Sequence, residues 1–250
     1  MGFDARVGAI KIVFRGTKTS DFANAVTDMH FTTKKCSFCG DTKVHAGFYI
    51  GLNTLLNAGL SGHIERAIGQ YPNAPVHCTG HSLGASLAVL SALWVHNFFP
   101  SIPVSMYTYG QPRVGKASFA KFLMQTGIEH FRVVQQKDII PHLPPTDLGF
   151  RHTTVEVWYP SVKAQPRFSD MAESQQKSSS NHLRVHMSVE SHLKYFGFYE
   201  SCSTASCICP GGQPSLDKCG GSEGNYQIKS VPAWPRLTSY VYILYICNST

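Results

Sequence analysis

Val76-His77-Cys78-Thr79-Gly80-His81-Ser82-Leu83-Gly84-Ala85 is the stretch on which the reading of this chain turns. Residues 74–79 have the length and content of a short buried strand. Residues 83–98, rich in Leu and Ala, read as a buried helix. Between them stands G-x-S-x-G. Its small residues let the chain turn sharply, so that Ser82 projects from the strand end while its backbone sits at a helix N-terminus. The positive end of that helix favours the negative charge that develops on a reacting carbonyl. A rival reading makes Ser82 a plain helix N-cap on a glycine-punctuated loop. The strand before, the helix after, and Ala85, Ser86 and Ala88 permitting close packing favour a nucleophile elbow.

Working outward, residues 9–14 (A-I-K-I-V-F) form a β-rich run that ends in the tight turn Arg15-Gly16-Thr17. Residues 20–31 carry Phe22, Val26, Met29 and Phe31 near helical spacing, an amphipathic segment beside that turn. Residues 48–68 read as a helix or helix pair stopped by Pro72. Downstream, the pattern predicts strands at 104–109, 131–134 and 153–158, and helices at 116–124 and 192–198. A polar surface loop spans 160–180. Alternating strands and helices mean an α/β class with a mostly parallel central sheet flanked by helices. Residues 1–200 form the main domain, and 201–250 a Cys/Gly-rich C-terminal appendix and tail.

Composition narrows the function. Lys and Arg number 22 against 15 Asp and Glu, a formal charge of +7, yet the basic residues are scattered. Such a surplus suits an anionic surface or ligand, whereas the dense stripe of a nucleic-acid binder is absent. No apolar run reaches the ~17–25 residues that span a bilayer, and 240–247 (Y-V-Y-I-L-Y-I-C) is too short. Residues 1–6 lack the apolar core of a secretory signal. The cysteines point the other way. Cys36, Cys39, Cys202, Cys207, Cys209, Cys219 and Cys247 lie in loop-like sequence, the usage of a disulfide-bonded secreted protein. They lack the second pair that a zinc site needs. A missing N-terminal segment reconciles the two signals.

Serine needs a positioned base and a third group to orient it, and in folds of this kind the chain order is Ser, acid, His. Asp138 follows the strand at 131–134, at the carboxyl end where sites collect in such sheets. It is also a plausible turn cap, so spacing alone leaves both readings open. His142 and His152 follow too soon. His192, at the start of an apolar-periodic segment, is preferred, with His182 and His186 remaining as rivals.

These residues lie in a series of blocks: I-V-F-R-G-T from Ile12, V-H-A-G-F from Val44, G-H-S-L-G-A from Gly80, T-Y-G-Q-P-R-V-G from Thr108, D-I-I-P-H-L-P-P from Asp138, and S-V-E-S-H-L-K-Y-F-G from Ser188. In them the chain resembles the fungal-type, or class 3, triacylglycerol lipases of the α/β-hydrolase fold. The resemblance implies Ser82 as nucleophile, Asp138 as orienting acid, His192 as base, and an oxyanion hole from Thr17 and the Leu83 N–H. It implies a lipid ester substrate at a lipid–water interface, no metal and no organic cofactor. There are departures. Ala25 stands where the family usually has a lid tryptophan, and Ser191 where an aspartate commonly precedes the histidine. The chain begins almost on the strand before Thr17, as an N-terminally truncated member would. The placement of Cys36 and Cys39 resembles a nematode-like secreted branch. Two alternatives stay open, a catalytically impaired lipid-binding decoy and a small-ester esterase.

Overall fold

A computed structural model describes residues 1–17, 24, 30–153, 155–161, 164–170, 180, 187–196 and 198–199. The expected appendix at 201–250, nearly all of the amphipathic segment at 20–31, and the rivals His182 and His186 lie outside the described residues.

In chain order the strands are β1 (Gly2–Asp4), β2 (Ala9–Phe14), β3 (Thr33–Lys35), β4 (Lys43–His45), β5 (Val76–His81), β6 (Val104–Tyr109), β7 (Gly115–Lys116), β8 (Glu129–Gln135), β9 (Phe150–Arg151), β10 (Glu156–Tyr159), β11 (Arg167–Ser169), β12 (Lys194–Tyr195) and β13 (Phe198–Tyr199). The helices are α1 (Ala46–Leu55), α2 (Ser61–Gln70), α3 (Leu83–Phe98), α4 (Ala117–Gln125) and α5 (Val189–Leu193). The main sheet runs β1-β2-β5-β6-β8-β10-β11. Its inner pairs are all parallel, and only the edges β1 and β11 pair antiparallel. One row crosses five strands in register: Phe14, Gly80, Thr108, Arg132 and Glu156. A second, antiparallel sheet orders β3-β4-β7-β9, and β12 pairs β13 as a hairpin.

The predicted parallel α/β class holds because the inner strands carry apolar residues into a single core. Ile10, Ile12, Val76, Cys78 and Met106 are buried there with Leu90 and Leu93 of α3. Helix α3 is buried along Gly84–Val95, as expected for a helix apolar all round. Its docking depends on small residues. A Cβ on Gly84 would lie 2.4 Å from the Phe14 carbonyl oxygen, and one on Gly80 2.3 Å from the Gly84 oxygen. Without side chains, β2, β5 and the start of α3 meet backbone to backbone.

Two local expectations fail for physical reasons. The helix expected at 192–198 is displaced: the Ser188 hydroxyl accepts from Ser191 N–H and starts α5 one turn earlier, so that it ends at Leu193. The chain then leaves helical geometry at Lys194 and folds into the β12–β13 hairpin. Within the expected polar loop, Arg167–Ser169 forms edge strand β11. This edge strand is three residues long and mostly exposed, too short to carry an apolar period. Cys36 and Cys39 form a disulfide. Cys78, by contrast, is a buried thiol whose pKa burial pushes up to about 12 against a weaker hydrogen bond involving Ser91. No helix among the described residues is long and apolar enough to cross a membrane.

Candidate active site

Ser82 follows β5 directly and precedes α3, with φ 56° and ψ −126°. A non-glycine residue held there costs on the order of 1–3 kcal/mol and persists only where its surroundings impose it. The Ser82 side chain makes no capping bond to α3, so the N-cap reading gives way to the elbow. The Ser82 N–H donates to the Tyr109 carbonyl at 3.0 Å, tying the elbow to the end of β6. Ser82 is buried. Leu83, the first residue of α3 and partly exposed, lies where helix N–H groups have no partner within the helix. Gly16 packs against the elbow: a Cβ there would lie 3.1 Å from Ser82 Cβ. That contact brings the turn carrying Thr17 beside Ser82.

Asp138 and His192 meet across 54 residues of chain. His192 Nδ1–H donates to the Asp138 carboxylate, 2.9 Å from each oxygen, and both residues are fully buried. In a neutral ring this leaves Nε2 as the basic nitrogen. Two more donors converge on the carboxylate: Ile140 N–H at 2.8 Å and the Tyr195 hydroxyl at 2.6 Å. Burial alone would raise the Asp138 pKa. The adjacent His192, with its hydrogen bond and those of Tyr195 and Ile140, outweighs burial and holds the carboxyl below its usual range. Asp138 also forms a β-bridge with Ser188, and Ser188 N–H donates to the Lys137 carbonyl at 2.8 Å. The acid loop and the base helix are thus stitched through main chain as well as side chain.

The pair lies against the elbow. The His192 ring is 4.3 Å, centroid to centroid, from that of His81, the residue before Ser82. Gly110, just beyond β6 with φ 53°, faces both members of the pair. A Cβ there would lie 2.8 Å from Asp138 Oδ2 and 2.9 Å from His192 Nδ1.

The loop after Asp138 is braced from outside. Arg113 Nη1 donates to the His142 and Pro144 carbonyls, the latter at 2.9 Å, and His152 Nε2–H donates to the Pro141 carbonyl at 2.7 Å. Burial and the nearby Arg132 and Arg113 charges hold the His152 pKa well below the usual value, outweighing the opposing effect of its bond to the Pro141 carbonyl. Of the two early histidines, His152 thus braces the loop after Asp138, while His142 lies within it.

Spacing missed Gly110 and Tyr195. The first stands in T-Y-G-Q-P without any local sign of the two side chains it must clear. The second falls in the stretch whose spacing predicts a helix at 192–198, which gives it no role at the site. Among the described residues no cluster of three or more His, Cys, Asp or Glu side chains could hold a metal.

The chain is similar to known proteins over most of its described length. The profile of the family Lipase (class 3) matches residues 11–148. The chain is 36% identical to a lipase of Rhizomucor miehei over 191 residues, 75% of this chain and 52% of that protein. It spans about half the length of the curated relatives it matches. A solved lipase from Rhizopus microsporus var. chinensis superposes with a TM-score of 0.73 at 34% identity, covering 79% of this chain and 68% of that one, and shares its α/β-hydrolase fold. A solved triacylglycerol lipase, whose catalytic centre is described as formed by a serine protease triad, superposes with a TM-score of 0.70 at 34% identity, over 78% and 73% of the two chains. On this family match and this identity, the chain belongs to the class 3 lipase family.

Proposed function

We propose that this protein hydrolyses carboxylic ester bonds of lipids by a Ser82–His192–Asp138 triad. The observation that carries the reading is the buried Asp138–His192 pair lying beside the strained elbow of Ser82. His192 takes the Ser82 hydroxyl proton as Oγ attacks the ester carbonyl. The charged oxygen is met by the N–H groups of Leu83 and Thr17, with the Thr17 hydroxyl as a further donor. Collapse expels the alcohol, which leaves with the proton from His192. Water, deprotonated by His192, then attacks the acyl-enzyme and releases the fatty acid, returning the proton to Ser82. Asp138 keeps the ring in its Nδ1–H tautomer and stabilises the imidazolium. No step calls for a metal or an organic cofactor.

The substrate class rests on similarity to lipases, and an ester at a lipid–water interface is the reading it supports. Secretion is part of this reading, supported by the Cys36–Cys39 disulfide, a bond that persists in oxidising compartments. The division into a catalytic domain at 1–200 and an appendix at 201–250 is part of the same reading.

The test is a fluorophosphonate probe followed by turnover of p-nitrophenyl butyrate and emulsified triacylglycerol. Labelling at Ser82, lost in Ser82→Ala, with turnover of both esters, is the expected result. A folded protein that takes no label is instead a lipid-binding decoy. One that takes label and cleaves only dissolved ester is a small-ester esterase.

A further inference from the structure

The amide of Gln135 occupies the place of a main-chain peptide. Gln135 is the last residue of β8, three before Asp138, and its side chain is buried. Its Nε2–H donates to the Lys194 carbonyl at 2.6 Å, and its Oε1 accepts from the Phe196 N–H at 2.6 Å. In an extended segment the carbonyl of one residue and the N–H of the next but one point to the same side. A parallel neighbour strand pairs with just that couple. The Gln135 amide therefore supplies a one-residue parallel bridge centred on Tyr195, where the two-stranded hairpin has no strand on that side among the described residues.

Both ends of Tyr195 are held by this residue. The Gln135 main-chain N–H donates to the Tyr195 hydroxyl at 3.3 Å, and that hydroxyl donates onward to Asp138 Oδ2 at 2.6 Å. Directly after Tyr195, Phe196 adopts φ 53°, a left-handed conformation that an L side chain resists. The bond to its N–H anchors the turn there. The base lies three residues before Tyr195, so the amide is one hairpin strand away from the His192 ring.

We propose that Gln135 is a positioning residue for the base: its amide splints the hairpin that carries Tyr195, and through Tyr195 and Asp138 sets the His192 ring for proton transfer with Ser82. The assignment rests on the hydrolase reading above. It goes beyond it by naming a residue that touches neither substrate nor reacting atoms, and whose loss acts on turnover instead of substrate binding.

The experiment compares wild type, Gln135→Met, Tyr195→Phe and the double variant on p-nitrophenyl butyrate, with the rate of fluorophosphonate labelling as a second readout. Gln135→Met keeps the length and loses both bonds. Misplacing a reacting group by about 1 Å costs on the order of 100-fold. The expected result is therefore a fall of about tenfold or more in kcat and in labelling rate, with KM within about twofold. Tyr195→Phe removes one hydroxyl and keeps the packing, so it reads the same relay even if Gln135→Met does not fold. It should fall by a comparable factor. Because the two residues act in series, the double variant should lose little more than the worse single one. A kcat within twofold of wild type in a folded Gln135→Met or in Tyr195→Phe, a loss confined to KM, or multiplicative losses in the double variant would overturn the assignment. A wild-type protein that takes no label would instead overturn the hydrolase reading, and this assignment with it.

Discussion

Gly110 stands where a side chain would strike both His192 and Asp138: a methyl built on it lies 2.9 Å from His192 Nδ1 and 2.8 Å from Asp138 Oδ2. The distance explains why the turn after β6 carries a glycine, since φ 53° there also favours one. Gly110→Ala should therefore spread the acid–base pair. The expected outcome is a kcat loss of about tenfold or more with KM little changed. Steady-state kinetics with a soluble ester check this, and an unimpaired kcat would mean that the pair relaxes around the methyl.

The assignment of roles makes an ordered set of expectations. Ser82→Ala abolishes turnover. Asp138→Asn and His192→Ala each cost on the order of 10⁴ in kcat while leaving the fold intact. His182→Ala and His186→Ala leave kcat within a factor of a few. A large loss in either of those two, with His192→Ala active, moves the base assignment elsewhere.

Thr17→Val keeps the backbone N–H and removes the hydroxyl. Losing one oxyanion donor costs on the order of 100–1000-fold in comparable sites. A kcat reduction of that size with KM unchanged is expected if the hydroxyl donates. An unaltered rate confines the role of Thr17 to its main chain.

Acid should weaken the fold well before it titrates the carboxylates. Burial, with the Arg132 charge, lowers the pKa of His130 to about 3, and burial lowers that of His45 to about 4. In the unfolded chain both titrate near 6.5. Between those values the unfolded state binds protons that the folded state refuses, so stability falls as pH drops below about 6.5. For His130 the slope is up to about 1.4 kcal/mol per pH unit. Asp138, with its pKa held low, adds a loss in the same sense only below the usual carboxylate range. Melting temperature should therefore fall steadily from pH 7 to pH 4, and the His130→Gln variant should show a flatter profile. Equal slopes would assign the acid sensitivity to other groups.

The amphipathic pattern at 20–31 fits either a lid over the Ser82 pocket or an ordinary surface helix, and the lid reading makes a kinetic prediction. Activity on a short-chain ester should rise abruptly once substrate passes from monomers to droplets. Replacing Val26 and Met29 with Ser should remove the rise and spare hydrolysis of dissolved ester. A smooth saturation curve through the solubility limit counts against a lid. Because the chain carries +7, binding to anionic droplets should also weaken as salt is raised.

Much of this was legible in the sequence, and the reasons are local. The elbow could be read because its chemistry is contiguous: strand, glycines, serine and helix follow within ten residues, and each obeys a short-range steric rule. Helix α3 could be read because a helix buried on all sides is apolar on all sides. Asp138 and His192 were only half visible. Their pairing is set by where β8 ends and where the hairpin after α5 folds back, and no spacing along the chain encodes a distance across 54 residues. The resemblance to a family supplied what spacing left open. The hairpin is hidden in the sequence because its outer side is satisfied by the side chain of Gln135, about 60 residues away, a glutamine that composition would place on the surface.

The order in which the site's parts are made has a consequence for how the protein comes into use. The proposed nucleophile, acid and base lie at 82, 138 and 192, and the stitches joining the last two run from 135–138 to 188–196. A chain synthesised from its N-terminus can lay down β2, β5, β6, β8 and β10 before the base has left the ribosome, because domains form as their sequence emerges. On the hydrolase reading, competence is therefore expected only after the hairpin docks, later than the parallel sheet. The same hairpin is the natural first loss under mild denaturation, so activity should vanish while the parallel sheet and its circular dichroism persist.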